Sequence, residues 1–197
     1  RAGSTQASST QASSTQAPGT EPDPVIDARG RALHDLRVSV TDRCNLRCAY
    51  CMPNAEYEWL PRSDILSFEE IELVVRAFTD VGVRKVRLTG GEPLLRRSLP
   101  DLVARLVGIE ALHEVALTTN GTLLADHADA LRQAGLHRIT VSLDTLRPER
   151  HARLTRRDNH ATVLAGIDAV REAGFTDTKI NTVVMQGPTT RSVQHTN

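Results

Sequence analysis

The chain has 197 residues, 40% of them hydrophobic and 24% charged, with a formal net charge of zero, the balance of a globular domain with one core of ordinary size. Zero net charge gives no electrostatic case for nucleic acid or an anionic membrane surface as partner. No apolar run approaches the roughly 20 residues of a membrane span, and no secretory-type apolar stretch is present at the start, so a cytoplasmic location is the default expectation.

Residues 1–24 form the first predicted unit. They are low in complexity, with STQAS, STQAS and STQAP repeated over 4–18. A segment without large apolar residues cannot offset the entropy of ordering itself, so a disordered leader is expected. A folded core is expected over 25–187, followed by an unpatterned tail over 188–197. In the core, β-branched residues alternate over 36–41 (LRVSVT), the mark of a strand. A cysteine-bearing loop follows. Over 67–81 the spacing of Phe68, Ile71, Val74, Val75 and Phe78 predicts a helix, with Ser67 and Glu70 as a capping box. Strands are then predicted over 85–89, 114–119, 138–143 and 179–185. Helices are predicted over 99–107, 124–134, 148–154 and 161–173. Strands alternating with helices imply an α/β fold with a parallel sheet. Polar or glycine residues follow nearly every strand: Asp42, Gly90 with Gly91, Asn120 with Gly121, and Asp144. Sites in such folds gather at that carboxyl edge.

The three cysteines lie in one eight-residue window, CNLRCAYC, as Cys44, Cys48 and Cys51. An odd, tight trio is no disulfide framework; it suits a metal in a reducing compartment. A structural zinc site would need a fourth ligand, and the nearest downstream histidine is His113. Three thiolates suit an iron–sulfur cluster with one iron left open. Both metal readings stand on the residues alone.

The Cys-x3-Cys-x2-Cys loop after a first strand, with Tyr50 before the last cysteine, resembles the radical S-adenosylmethionine (SAM) superfamily. TGGEP at 89–93, LTTNG, ITVSLDTL and KINTVVM follow in order. Together the set resembles the GTP-cyclising family of molybdenum cofactor biosynthesis. The resemblance implies an α/β fold of partial (β/α)6 barrel type, incomplete at its C-terminal side. It implies a 4Fe-4S cluster on Cys44, Cys48 and Cys51, with SAM on the open iron and a 5′-deoxyadenosyl radical as its product. Tyr50, Gly91 and Ser142 are the implied SAM contacts. Arg37, Arg87, Thr118 and Lys179 are the implied GTP contacts; Lys179 is one of only two lysines in the chain. Glycines at 90 and 91 would let backbone approach the ligand, and a carbonyl or carboxylate there could accept from an ammonium. The family also implies an electron donor, of identity unknown, and a homodimer. A different single-cluster enzyme of the superfamily and a non-catalytic metal-binding fragment are the alternatives.

No cysteine follows Cys51, whereas the family carries a second cluster on a later trio, expected only in its longer members. The text after Gly187 is unlike the family's continuation and reads as a truncation or a frameshift. An unpaired edge after the fifth strand is expected. The expectation is that this chain alone does not convert GTP to the 3′,8-cyclised nucleotide. Incubation of reduced, reconstituted protein with SAM and GTP checks this, and cyclised product would contradict it.

Overall fold

The computed structural model describes residues 25–54 and 56–185; the predicted leader and tail lie outside them, as does the last part of the predicted core. Five strands form one sheet in the order β1-β2-β3-β4-β5, every neighbouring pair parallel. They are β1 (Asp35–Ser39), β2 (Lys85–Thr89), β3 (Glu114–Thr119), β4 (Arg138–Ser142) and β5 (Lys179–Asn181). Between them run α1 (Phe68–Asp80), α2 (Leu99–Val107), α3 (Leu124–Gln133), then α4 (Pro148–Thr155) and α5 (His160–Glu172). This is the expected α/β architecture, consistent with part of a (β/α) barrel. Among the described residues no helix is long and apolar enough to cross a membrane.

Local chemistry accounts for the element ends. Ser67 Oγ accepts from the Glu70 amide, and the Glu70 carboxylate accepts from the Ser67 amide, so two otherwise unpartnered amides of α1 are satisfied reciprocally. The predicted fifth strand is shorter than expected. Beyond Asn181 the Val183 amide donates to Asp144 Oδ1, and Thr182 Oγ1 donates to the Leu143 carbonyl. The chain thereby leaves the ladder after three residues.

The sheet has two unlike faces, as the period of two in a strand allows. Val86, Leu88, Val115, Leu117, Ile139 and Val141 enter one buried cluster with Ile71 and Val75 of α1, Leu102 and Leu106 of α2, Leu131 of α3, and Val163 and Val170 of α5. The alternate positions carry Arg37, Arg87, Thr118, Thr140 and Lys179. A parallel sheet is ordinarily apolar on both faces. Among the described residues the helices pack on the apolar face, and the second face is polar.

The helices α3 and α5 make the tightest helix contact. A Cβ on Gly166 would lie 2.5 Å from the Gly121 carbonyl oxygen and 2.9 Å from Leu124 Cβ. Helix propensity alone favours Ala over Gly by about 1 kcal/mol. The overlap with backbone is the larger effect, so Gly166→Ala is expected to destabilise the fold by a net ~1–3 kcal/mol. Urea unfolding of the two proteins measures this, and a stabilised variant would refute the packing argument.

Candidate functional site

The cysteine loop begins where β1 ends, at the carboxyl edge of the sheet. It has no regular structure, so its backbone groups need partners elsewhere. One set comes from the turn after β2. The Gly91 amide donates to the Thr41 carbonyl and the Glu92 amide to the Arg43 carbonyl, both at 2.7 Å. A Cβ on Gly90 would lie 2.5 Å from the Thr41 oxygen, and one on Gly91 would overlap the Arg43 carbonyl. The glycine pair is therefore required for two stretches of backbone to dock. A second set comes from the end of α4, whose Thr155 and Leu154 carbonyls accept from the Arg47 and Ala49 amides at 3.0 and 2.9 Å. Beyond it, Arg157 Nε donates to the Asn45 carbonyl and Arg156 Nη1 to the Pro53 carbonyl. Arg156 sits at φ 56°, the left-handed region that costs a non-glycine residue on the order of 1–3 kcal/mol. Within the loop, Arg47 Nη1 donates to the Cys44 and Leu46 carbonyls, and its guanidinium stands over the Tyr57 and Trp59 rings.

Burial and neighbouring charge act on two of the three thiols. Burial raises the Cys44 thiol, with Cys51 among the smaller contributors. Burial, then the charges of Cys44, Asp144 and Cys51, push Cys48 up to about 11. Among the described residues no group of three His, Cys, Asp or Glu side chains closes on a single metal ion. Cys51, Gly90, Gly91 and Asp42 line one cavity of about 500 Å³. In it the Asp42 carboxylate accepts from the Leu60 amide through Oδ2, while Oδ1 is buried without a partner.

Other expected site residues fall into two groups. Tyr50 is tied to the end of β4, its hydroxyl donating to Asp144 Oδ2 at 2.6 Å. Burial and that bond raise the phenol's pKa. Ser142 is exposed at the last position of β4, in register with Asn181. The remaining four lie on the polar face. Arg37 is in register with Arg87, Thr118 with Thr140, and Thr140 with Lys179. Arg87 Nη1 donates to Thr140 Oγ1 at 3.1 Å and to Thr118 Oγ1 at 3.5 Å. Thr140 escaped notice in the sequence because a threonine inside a strand is unremarkable.

The Glu92 carboxylate is committed within the protein. It is 0% exposed. Oε1 accepts from the Thr119 hydroxyl at 2.7 Å and the Leu94 amide at 3.1 Å, and Oε2 from the Asn120 amide at 2.8 Å. It fastens the turn after β2 to the end of β3.

Burial holds the Glu92 pKa above the usual carboxylate range, opposed by the bonds from Asn120, Thr119 and Leu94. Between the ordinary pKa and the raised folded value the native state binds more protons than the unfolded chain. Stability is therefore lost as pH rises through that window. Glu92→Gln removes this component, so wild type is expected to gain more stability than the variant between pH 7.5 and 5. Paired denaturant curves read the difference, and parallel pH dependence would show that Glu92 does not titrate in this way.

Residues 38–196 match the family model described as the radical SAM superfamily. Over 168 residues the chain is 55% identical to GTP 3′,8-cyclase 3 of Mycobacterium bovis, covering 83% of this chain and 44% of that protein. It is 57% identical over 167 residues to GTP 3′,8-cyclase 1 of Mycobacterium tuberculosis, covering 83% and 46%. With the GTP 3′,8-cyclase of Acidothermus cellulolyticus the values are 56%, 83% and 47%. The chain thus spans under half the length of these relatives. In fold it is similar to Streptococcus suis SuiB bound to S-adenosylmethionine, with a TM-score of 0.64 at 22% identity over 77% of this chain and 34% of that one. It is also similar to HydG, a maturase of the [FeFe]-hydrogenase, at 0.66 and 15% over 81% and 37%.

Proposed function

The chain belongs to the radical SAM superfamily, and on that premise we propose that it is the SAM-cleaving, triphosphate-facing part of a GTP 3′,8-cyclase, acting at the start of molybdenum cofactor biosynthesis. The names of its relatives support the substrate. The observation that carries the reading is the polar face of the sheet. Arg87 spans the Thr118 and Thr140 hydroxyls there, beside Arg37 and in the same set of registers as Lys179.

Cys44, Cys48 and Cys51 would hold a 4Fe-4S cluster. Three thiolates from one short loop suit a cluster with one iron left open, whereas a structural zinc site takes four ligands. When bound, the cluster supplies the electron for reductive cleavage of SAM, the source of a 5′-deoxyadenosyl radical. The chain's own residues bind and orient. The cavity between Cys51 and Gly91 would take the SAM amino-acid end. Tyr50, steered by Asp144, and Ser142 would flank the rest of SAM.

On the polar face, Arg87 uses Nη1 on two hydroxyls and keeps other guanidinium hydrogens for phosphate oxygens. The hydroxyl hydrogens of Thr118 and Thr140 remain available to the same ligand. Arg37 and Lys179 add positive charge, a planar fork and a point charge respectively.

Anaerobic reconstitution tests the reading. About four irons and four sulfides per chain are expected, with 5′-deoxyadenosine released on reduction with SAM. GTP is expected to change the rate of that release, and Arg87→Ala to weaken the GTP response at least about tenfold, the loss of a charge-assisted bidentate contact, with iron content unchanged. SAM cleavage indifferent to GTP would point to another substrate; zinc without sulfide would refute the cluster.

A further inference from the structure

We infer that Asn120 is a positioning residue for the cluster, directing one side-chain amide hydrogen at the sulfur of Cys44 and so raising the cluster's reduction potential. The inference rests on the cluster reading above and adds to it a residue outside the cysteine loop.

Asn120 follows β3 directly. Its Nδ2 lies 2.8 Å from Asn45 Oδ1 and 3.9 Å from Cys44 Sγ. Its Oδ1 accepts from the Thr122 amide at 3.0 Å and from Thr122 Oγ1 at 2.7 Å. Thr122 Oγ1 in turn accepts from Asn45 Nδ2 at 2.8 Å. This ring of three side chains has a single consistent orientation. A backbone amide can only donate, so the Thr122 N–H fixes which end of the Asn120 amide is oxygen. The Thr122 hydroxyl spends its one hydrogen on that oxygen, so Asn45 must turn its NH₂ toward Thr122 and its oxygen toward Asn120. An amide nitrogen carries two hydrogens. One goes to Asn45, and the other faces the Cys44 sulfur. The Asn120 backbone is itself pinned by its bond to buried Glu92.

Cys44 Sγ also accepts from the Leu46 amide at 3.4 Å. Hydrogen bonds to ligand sulfur stabilise the more negative, reduced cluster over the oxidised one, and so raise the potential. The Asn120 bond comes from another strand end, so its geometry does not depend on the loop alone.

Asn120→Leu keeps the branched shape and removes both donors together with the Oδ1 acceptor. After anaerobic reconstitution the variant is expected to hold as much iron and sulfide as wild type, with a more negative midpoint potential in an EPR-monitored redox titration. At a fixed ambient potential its reduced, paramagnetic fraction should fall several-fold. Thr122→Val leaves the Thr122 amide on Asn120 Oδ1, so its potential is expected to match wild type; this separates the direct bond from general scaffolding. A fully loaded Asn120→Leu protein with unchanged potential overturns the proposal, as does an equal shift in Thr122→Val. Wild type that takes up no iron overturns the cluster reading and the proposal with it. If Asn120→Leu alone takes up no iron, the unsubstituted protein decides. With asparagine labelled with ¹⁵N at the side-chain nitrogen, pulsed EPR of the reduced cluster should show a hyperfine coupling, since the label on Asn45 points away toward Thr122. Absence of that coupling overturns the proposal.

Discussion

An irregular loop can hold three thiols in place only if its own amides and carbonyls are satisfied by neighbours. That requirement organises this end of the molecule. The loop over 40–52 borrows backbone partners from the turn after β2 and from the carbonyl end of α4. The Asn120 side chain at the end of β3 adds bonds to the side chains of Cys44 and Asn45. Each of these neighbours is fixed by the apolar face of the sheet and its helix layer. The hydrophobic core therefore acts on the loop at one remove: it sets strand and helix ends, and those ends set the loop.

The division of the sheet into an apolar and a polar face follows from the alternation within each strand. Val86 and Leu88 point to one side, Lys85, Arg87 and Thr89 to the other. Because all five strands are parallel and in register, side chains of like character fall into rows across the sheet. The row of Thr118, Thr140 and Lys179 arises in this way, and Arg87 crosses between rows to reach both hydroxyls. Of the cations on that face Arg87 is half-buried, while Arg37 and Lys179 are exposed, so the attraction of Arg87 for an anion is the least screened by water.

Much of this was legible in the sequence where the signal is local. The capping box at Ser67 and Glu70, the period of two in β1 to β4 and the cysteine spacing each lie within a few residues. What escaped depends on contacts between distant segments. Nothing in the RLTRR stretch that ends α4 announces that its carbonyls and guanidiniums hold residues 45–53. The role of Glu92 was not legible, because a carboxylate after two glycines reads the same whether it faces a cavity or the end of the next strand. Burial decided the matter. The fifth strand read as longer than it is because KINTVVM alternates well; the competing acceptor, Asp144, lies 39 residues away.

Asp144 has one oxygen on the Tyr50 hydroxyl and the other on the Val183 amide. A single carboxylate thus joins the cysteine loop to the chain just past the outermost strand, where Ile180 and Val184 are exposed. Linkage through such a relay is reciprocal. A displacement of Val183 that carried Asp144 with it would also move the acceptor of the Tyr50 hydroxyl. A ligand that prefers one orientation of Tyr50 would then strengthen or weaken, by the same factor, any docking along β5 that displaces Val183 in this way. The edge of the sheet and the loop at its end would in this sense be two faces of one binding equilibrium.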